Sequence, residues 1–167
     1  MRSMVPDPLH LLKREHEVML DHLRMIETTI APRTTRSRVT AEPDRRTLCE
    51  LFRFFTDRVS IHFSREAVLM VALSRSFGQE QTARKRFEGL RREHRELRAD
   101  AAGIMKALNG KSSGASGVAG TDPFRIRSFI QRYRTHLAYE ERILFVLAEL
   151  RLTVEQRLRI SHRMLQM

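Results

Sequence analysis

Thr135-His136-Leu137-Ala138-Tyr139-Glu140-Glu141-Arg142-Ile143-Leu144-Phe145 sets a histidine and a carboxylate four residues apart. On a helix such residues stand one turn above each other on the same face. Extended in both directions, that face reads Ile126, Phe129, Tyr133, His136, Glu140, Ile143, Leu147 and Leu150. Alternating steps of three and four mark a seam turned to the interior of a helix bundle. A carboxylate among Ile, Phe and Leu is costly unless something pairs with it, so other helices are expected to carry its partners.

Three more segments have the same period. The first helix, about residues 8–30, opens on Asp7-Pro8, a cap followed by proline at the first helical position. Its seam is Leu9, Leu12, His16, Met19, Leu23, Ile26 and Ile30. A second helix, about 44–73, presents Leu48, Phe52, Phe55, Val59, His62, Glu66, Leu69 and Leu73. A third, about 79–108, presents Ala83, Phe87, Leu90, His94, Leu97, Ala101, Ile104 and Leu108. The fourth, about 122–150, starts on Asp122-Pro123, a second Asp-Pro cap. Between them lie a proline-containing loop (31–43), a short turn (74–78) and a Gly/Ser-rich connection (109–121). A short segment, about 153–165, is expected to pack across one end through Val154, Leu158 and Leu165. The reading is an all-α, up-down-up-down four-helix bundle with a short C-terminal helix, one domain over residues 1–167.

Composition agrees. With 41% hydrophobic residues, seven glycines and no tryptophan, the chain suits a folded helical protein rather than a disordered one. A lone cysteine, Cys49, cannot close an internal disulfide and is expected to be a partly buried, inert thiol in a reducing compartment. The N-terminus has no apolar run of signal-peptide length, and no stretch approaches a membrane span. The expectation is a cytoplasmic protein with no membrane partner. A net charge of +11 raises an alternative function, a basic binding module for nucleic acid or an acidic protein partner with a structural metal site. The arginines are scattered, however, with no interleaved aromatics and no recognition-helix pattern, so a solvated basic surface is the favoured reading.

The polar exceptions on the seams carry the chemistry. His16, His62, Glu66, His94, His136 and Glu140 each fall near the middle of a helix and should share one layer. Stranding six such groups in a core would use up much of a domain's stability of about 5–15 kcal/mol. A metal turns neutral imidazoles and carboxylates into ligands instead. The sequence also repeats: Arg14-Glu15-His16 matches Arg92-Glu93-His94, and His62-x-x-x-Glu66 matches His136-x-x-x-Glu140. Two halves related by a pseudo-two-fold axis would surround two ions, bridged by Glu66 and Glu140 from helices running the same way. Four His and two Glu leave coordination positions open for solvent, O₂, NO or peroxide. Ligand type alone also suits zinc or manganese.

The pattern His…His-x-x-x-Glu…His…His-x-x-x-Glu, spread over nearly the whole chain, resembles the hemerythrin-like (HHE cation-binding) domains. That resemblance implies a four-helix bundle with a non-haem di-iron centre, bridging carboxylates and an oxo or hydroxo bridge. It implies His16, His62, Glu66, His94, His136 and Glu140 as ligands, and roles in O₂ binding or sensing, iron handling, or responses to nitric oxide or peroxide. Catalase-like peroxide decomposition is the activity to assay first. The oxygen-carrying members place two histidines four apart on the third helix, whereas Leu90 and Arg98 stand at that spacing from His94 here. The difference argues against reversible O₂ carriage and for a solvent ligand or another reactivity.

Other candidates are weighed by helical phase. Glu141 rivals Glu140, and phase selects Glu140. Tyr133, one turn before His136, is placed to hydrogen-bond a metal-bound group or to be core with its hydroxyl satisfied, and the second reading is favoured. Met19, Phe55, Leu69, Leu97 and Ile143 should wall the site. His10 and His22 are expected to face solvent, and His162 has no partner in register. Glu15 and Glu93 point off the seams and are expected to pair with surface arginines.

Overall fold

Two Asp-Pro pairs start helices as their chemistry requires. The Asp7 carboxylate accepts from the Leu9 backbone N–H at 2.9 Å, and the Asp122 carboxylate accepts from that of Phe124 at 2.9 Å. A computed structural model describes residues 6–31, 41–110 and 122–167; the loop and connection expected at 31–43 and 109–121 lie largely outside them. Four rods form the body. The first is α1 (Pro8–Ile30). The second joins α2 (Ala41–Arg53) through a π turn (Phe54–Arg58) to α3 (Val59–Phe77). The third is α4 (Gln81–Asn109). The fourth joins α5 (Pro123–Tyr139) through a π turn (Glu140–Phe145) to α6 (Val146–Arg151). A separate α7 (Val154–Leu165) follows.

The alternation of direction is visible in the core, which has two parts. One holds Met19, Leu23 and Ile26 of α1, Phe52 and Phe55 of the second rod, Leu97 and Ile104 of α4, and Phe129 and Tyr133 of α5. The other holds Leu9 and Leu12, then Leu69 and Leu73, then Phe87 and Leu90, then Leu144 and Phe145. Along the chain the rods therefore run from the second part to the first, back again, and repeat. Between the parts, in mid-rod, lie the histidines and glutamates. This is an up-down-up-down bundle with a polar layer across its middle.

Most seam residues are buried as expected, including all eight of α4. The second rod differs at both ends. It begins at Ala41 rather than near Asp44, and it runs to Phe77 instead of stopping at Leu73. Gly78, at φ +60°, then turns the chain out of the helix, a conformation that favours glycine. The fourth rod departs more seriously. Ile143 and Leu147 are only half-buried and Leu150 is 75% exposed, while Leu144, Phe145, Ala148 and Leu152 are buried. The π turn at Glu140–Phe145 inserts extra backbone and rotates every later residue off the phase set by His136.

The last helix is also turned from its expected face. Val154, Leu158 and Leu165 are exposed, and Ile160, Ser161 and Met164 are buried instead. Thr153 and Gln156 form a reciprocal capping box that fixes its start. Ser161 donates to the Pro6 carbonyl, and Arg65 Nε donates to the Met164 carbonyl at 3.1 Å, so α7 is tied to the first and second rods. No helix among the described residues is long and apolar enough to cross a membrane.

Candidate metal centre

All six polar seam residues meet in the middle layer, and all are buried: His16, Glu66 and Glu140 fully, His62, His94 and His136 nearly so. Glu66 and Glu140 face each other across the bundle and divide their oxygens between two pairs of histidines. On one side Glu66 Oε1 lies 3.7 Å from His16 Nε2 and 3.4 Å from His62 Nε2, and Glu140 Oε2 lies 3.4 Å from His16 Nε2. On the other side Glu66 Oε2 lies 3.3 Å from His94 Nε2, and Glu140 Oε1 lies 2.9 Å from both His94 Nε2 and His136 Nε2. His16, His62, Glu66 and Glu140 thus form one group of convergent donors, and His94, His136 and Glu140 form another.

Most of these inward atoms have no conventional partner. His16 Nε2, His62 Nε2, His136 Nε2, both Glu66 oxygens and Glu140 Oε2 make no hydrogen bond, although each is shielded from solvent. Stranded polar atoms of this kind are rare in native interiors and call for an explanation. A ring of Nε2 lone pairs and carboxylate oxygens converging on two points is a set of donors suited to two cations.

Electrostatics describes the same ring without cations. Burial alone would lower the pKa of His16, yet the close carboxylates of Glu140 and Glu66 outweigh it and raise it to about 10. Burial likewise opposes charge on His62, but Glu66 and Glu15 raise its pKa to about 9. His136 is raised too, against burial, by Glu140 and Glu93. Burial pushes Glu140 upward, yet His136, His16 and His94 hold it well below the usual carboxylate range. Glu66 is lowered as well, with its histidines outweighing burial and the repulsion of Glu140. Protons on the imidazoles therefore compete for the place cations would take.

Outside the ring is a second set of carboxylates. Three of the four imidazoles donate from Nδ1: His16 to Glu141 at 2.9 Å, His62 to Glu15 at 2.8 Å and His136 to Glu93 at 2.9 Å. Glu15 and Glu93 thus correct the expectation of purely surface pairing, even though Glu15 also pairs with Arg65. Each Glu stands off its own seam but is long enough to reach the histidine of the next rod. The signal was present in the repeated Glu-His dipeptides, which place the same acid beside the same ligand twice. Glu141 and Glu140 divide the work: Glu140 is in the ring, and Glu141, with its side chain 43% exposed, holds the outer nitrogen of His16.

The family model of the hemerythrin HHE cation binding domain matches residues 7–148 of the chain. The chain belongs to that family. The HHE domain spans all four rods and leaves out α7. Neither the comparison with curated proteins nor that with solved structures returned a match.

Around the centre of this HHE domain, Met19, Phe55, Leu69 and Leu97 are buried as expected of its wall, and half-buried Ile143 is displaced by the π turn. Phe145 takes the inner position and stacks on His16, with ring centroids 5.2 Å apart. Tyr133 is 1% exposed, and its hydroxyl has no hydrogen-bond partner, contrary to the expected satisfied core tyrosine. Burial, then Glu140 and Glu66, push its pKa well up, so it keeps its proton. His10 and His162 face solvent. His22, expected there too, is half-buried, bonded to the Val18 carbonyl and stacked on Phe54. Cys49 is half-buried beside Asn109.

Proposed function

We propose that the ring holds two iron ions and that the protein binds or reacts with a small molecule such as O₂, NO or peroxide. The observation that carries this reading is the division of oxygens: each of Glu66 and Glu140 turns one oxygen to each histidine pair. His16 and His62 would hold one ion, His94 and His136 the other, and both glutamates would bridge. Bound iron would supply a redox couple and open coordination positions, because six side chains do not complete two shells.

The chain's own part is to orient and to exclude. Nδ1–H bonds to Glu15, Glu93 and Glu141 fix the tautomer that leaves Nε2 free to donate inward. Phe55, Leu69 and Leu97 keep bulk water out, which sharpens every electrostatic interaction inside. The protonated Tyr133 hydroxyl is an unused donor in this dry wall, available to a polar group brought beside it. A role in iron handling or in the response to oxidative or nitrosative stress follows from such chemistry.

The test is elemental analysis joined to optical spectra. Protein purified from iron-replete cells is expected to carry two iron ions and near-ultraviolet absorption that changes on exposure to air, nitric oxide or peroxide. A colourless, metal-free product would overturn the proposal, and so would redox-silent zinc; manganese would overturn the assignment of iron and leave redox chemistry with peroxide in place.

A further inference from the structure

The two halves of the ring are wired differently. Glu15 precedes His16 and accepts from His62; Glu93 precedes His94 and accepts from His136. These two carboxylates correspond under the pseudo-two-fold relation. Glu141 follows Glu140 and accepts from His16. The residue in the corresponding place after Glu66 is Ala67, whose methyl group accepts nothing.

Among the described residues, no carboxylate is bonded to His94 Nδ1. His94 lies flat on Phe63 instead, with centroids 4.0 Å apart and planes 8° from parallel. Its side chain is 8% exposed, against 0% for His16 and 3% for His62 and His136. The backbone breaks symmetry at the same place. Glu141 is carried by the π turn Glu140–Phe145, whereas Ala67 sits in the uninterrupted α-helix Val59–Phe77.

We infer that the ring binds its two ions with unequal strength, the His16/His62 position filling first, and that Glu141 is the positioning residue that sets the difference. This rests on the reading that the ring binds metal. An outer carboxylate fixes the ring orientation and tautomer of a histidine ligand and raises its basicity; losing one costs about 10–100-fold in metal affinity. Both imidazoles of the first position have such a partner, and only His136 of the second does. The positions should therefore differ by about 10–100-fold. Repulsion between two cations weakens whichever binds second, but it does not choose the side.

Zinc(II) is a suitable probe because it is redox-silent and diamagnetic. Chelator-stripped protein is titrated calorimetrically, and the histidine ring signals are followed by NMR. The first equivalent is expected to shift His16 and His62 before His94 and His136. Glu141→Ala is expected to weaken the first step and narrow the gap between steps, whereas Glu93→Ala weakens only the second. Circular dichroism checks that each variant folds; if one does not, the order of ring shifts in the unaltered protein decides. The inference is overturned if His94 and His136 respond first, or if Glu141→Ala spares the first step. Failure of the unaltered protein to take up any ion overturns the metal reading itself, and this inference with it.

Discussion

Stripping the protein with a chelator is expected to lower its melting temperature by an amount that depends on pH. Six inward atoms, on His16, His62, His136, Glu66 and Glu140, have no hydrogen-bond partner. Each such atom costs about 1–3 kcal/mol when buried. That is a large demand on a typical stability of about 5–15 kcal/mol. An ion present at about 1,000 times its dissociation constant returns about 4 kcal/mol. In a chain of this size, about 2–4 °C accompanies each kcal/mol, so filling the first position alone should raise Tm by roughly 8–16 °C, and the second ion should add to it.

Protons are the competing occupants, and they give the effect its sign. The pKa of His16 is about 10 in the folded protein against the ordinary 6.5 of histidine, and that of His62 is about 9. The stability contributed by their protons is fully present below about 6.5 and is lost as pH rises through about 9 to 10. Glu66 and Glu140, both lowered, stabilise the fold above 4.5 and cease to do so as pH falls through their folded values. The metal-free protein should thus be most stable between about 4.5 and 6.5 and weaken on the alkaline side. The gain in Tm on reloading should grow as pH climbs from 6.5, because metal then replaces protons that are leaving anyway. Calorimetric melts of stripped and reloaded protein across that window provide the measurement. Coincident melts, with elemental analysis showing bound metal, would refute the argument.

Three further outcomes can be checked. Glu140→Ala removes the carboxylate that belongs to both groups of convergent donors and should weaken the binding of both ions, whereas His62→Ala should weaken binding only at its own position; titration with zinc(II) separates the two. Tyr133→Phe removes a buried hydroxyl without a partner and leaves the ring packed on Phe55 and Phe129, so the metal-free variant should melt no lower than the parent. Thr153→Ala breaks the capping box of α7 and should cost about 1 kcal/mol. Metal uptake should be unaffected, because α7 lies beyond the matched domain, and combined melting and metal analysis would test both halves of that statement.

The seams made the bundle readable because α4 and the first half of the fourth rod keep a regular period from end to end. His94 could be placed among Leu90 and Leu97 from spacing alone, and His136 fixed the level of Glu140. That regularity fails where the backbone itself changes. Nothing in Glu140-Glu141-Arg142-Ile143 announces a π turn, so the heptad phase places Leu150 in a core it does not enter. The outer carboxylates were missed for a different reason. Phase reports where a Cα faces, and Glu15 and Glu93 cross to the neighbouring rod through flexible side chains that phase does not describe. In α7 the apolar residues are spread around the helix, and the docking contacts of Ser161 and Arg65 decide which of them go inside.

The Glu-His dipeptides have a mechanical consequence. In each, the histidine points into the ring while the glutamate braces a histidine rooted in the neighbouring rod: Glu15 steadies His62, and Glu93 steadies His136. The first and second rods are guyed together in this way, and so are the third and fourth. If one rod slid along its axis by a single residue, it would slacken a stay on its neighbour as well as misplace its own ligand. The alignment of the four rods is thus enforced from within, by struts anchored at the level where the chemistry would take place.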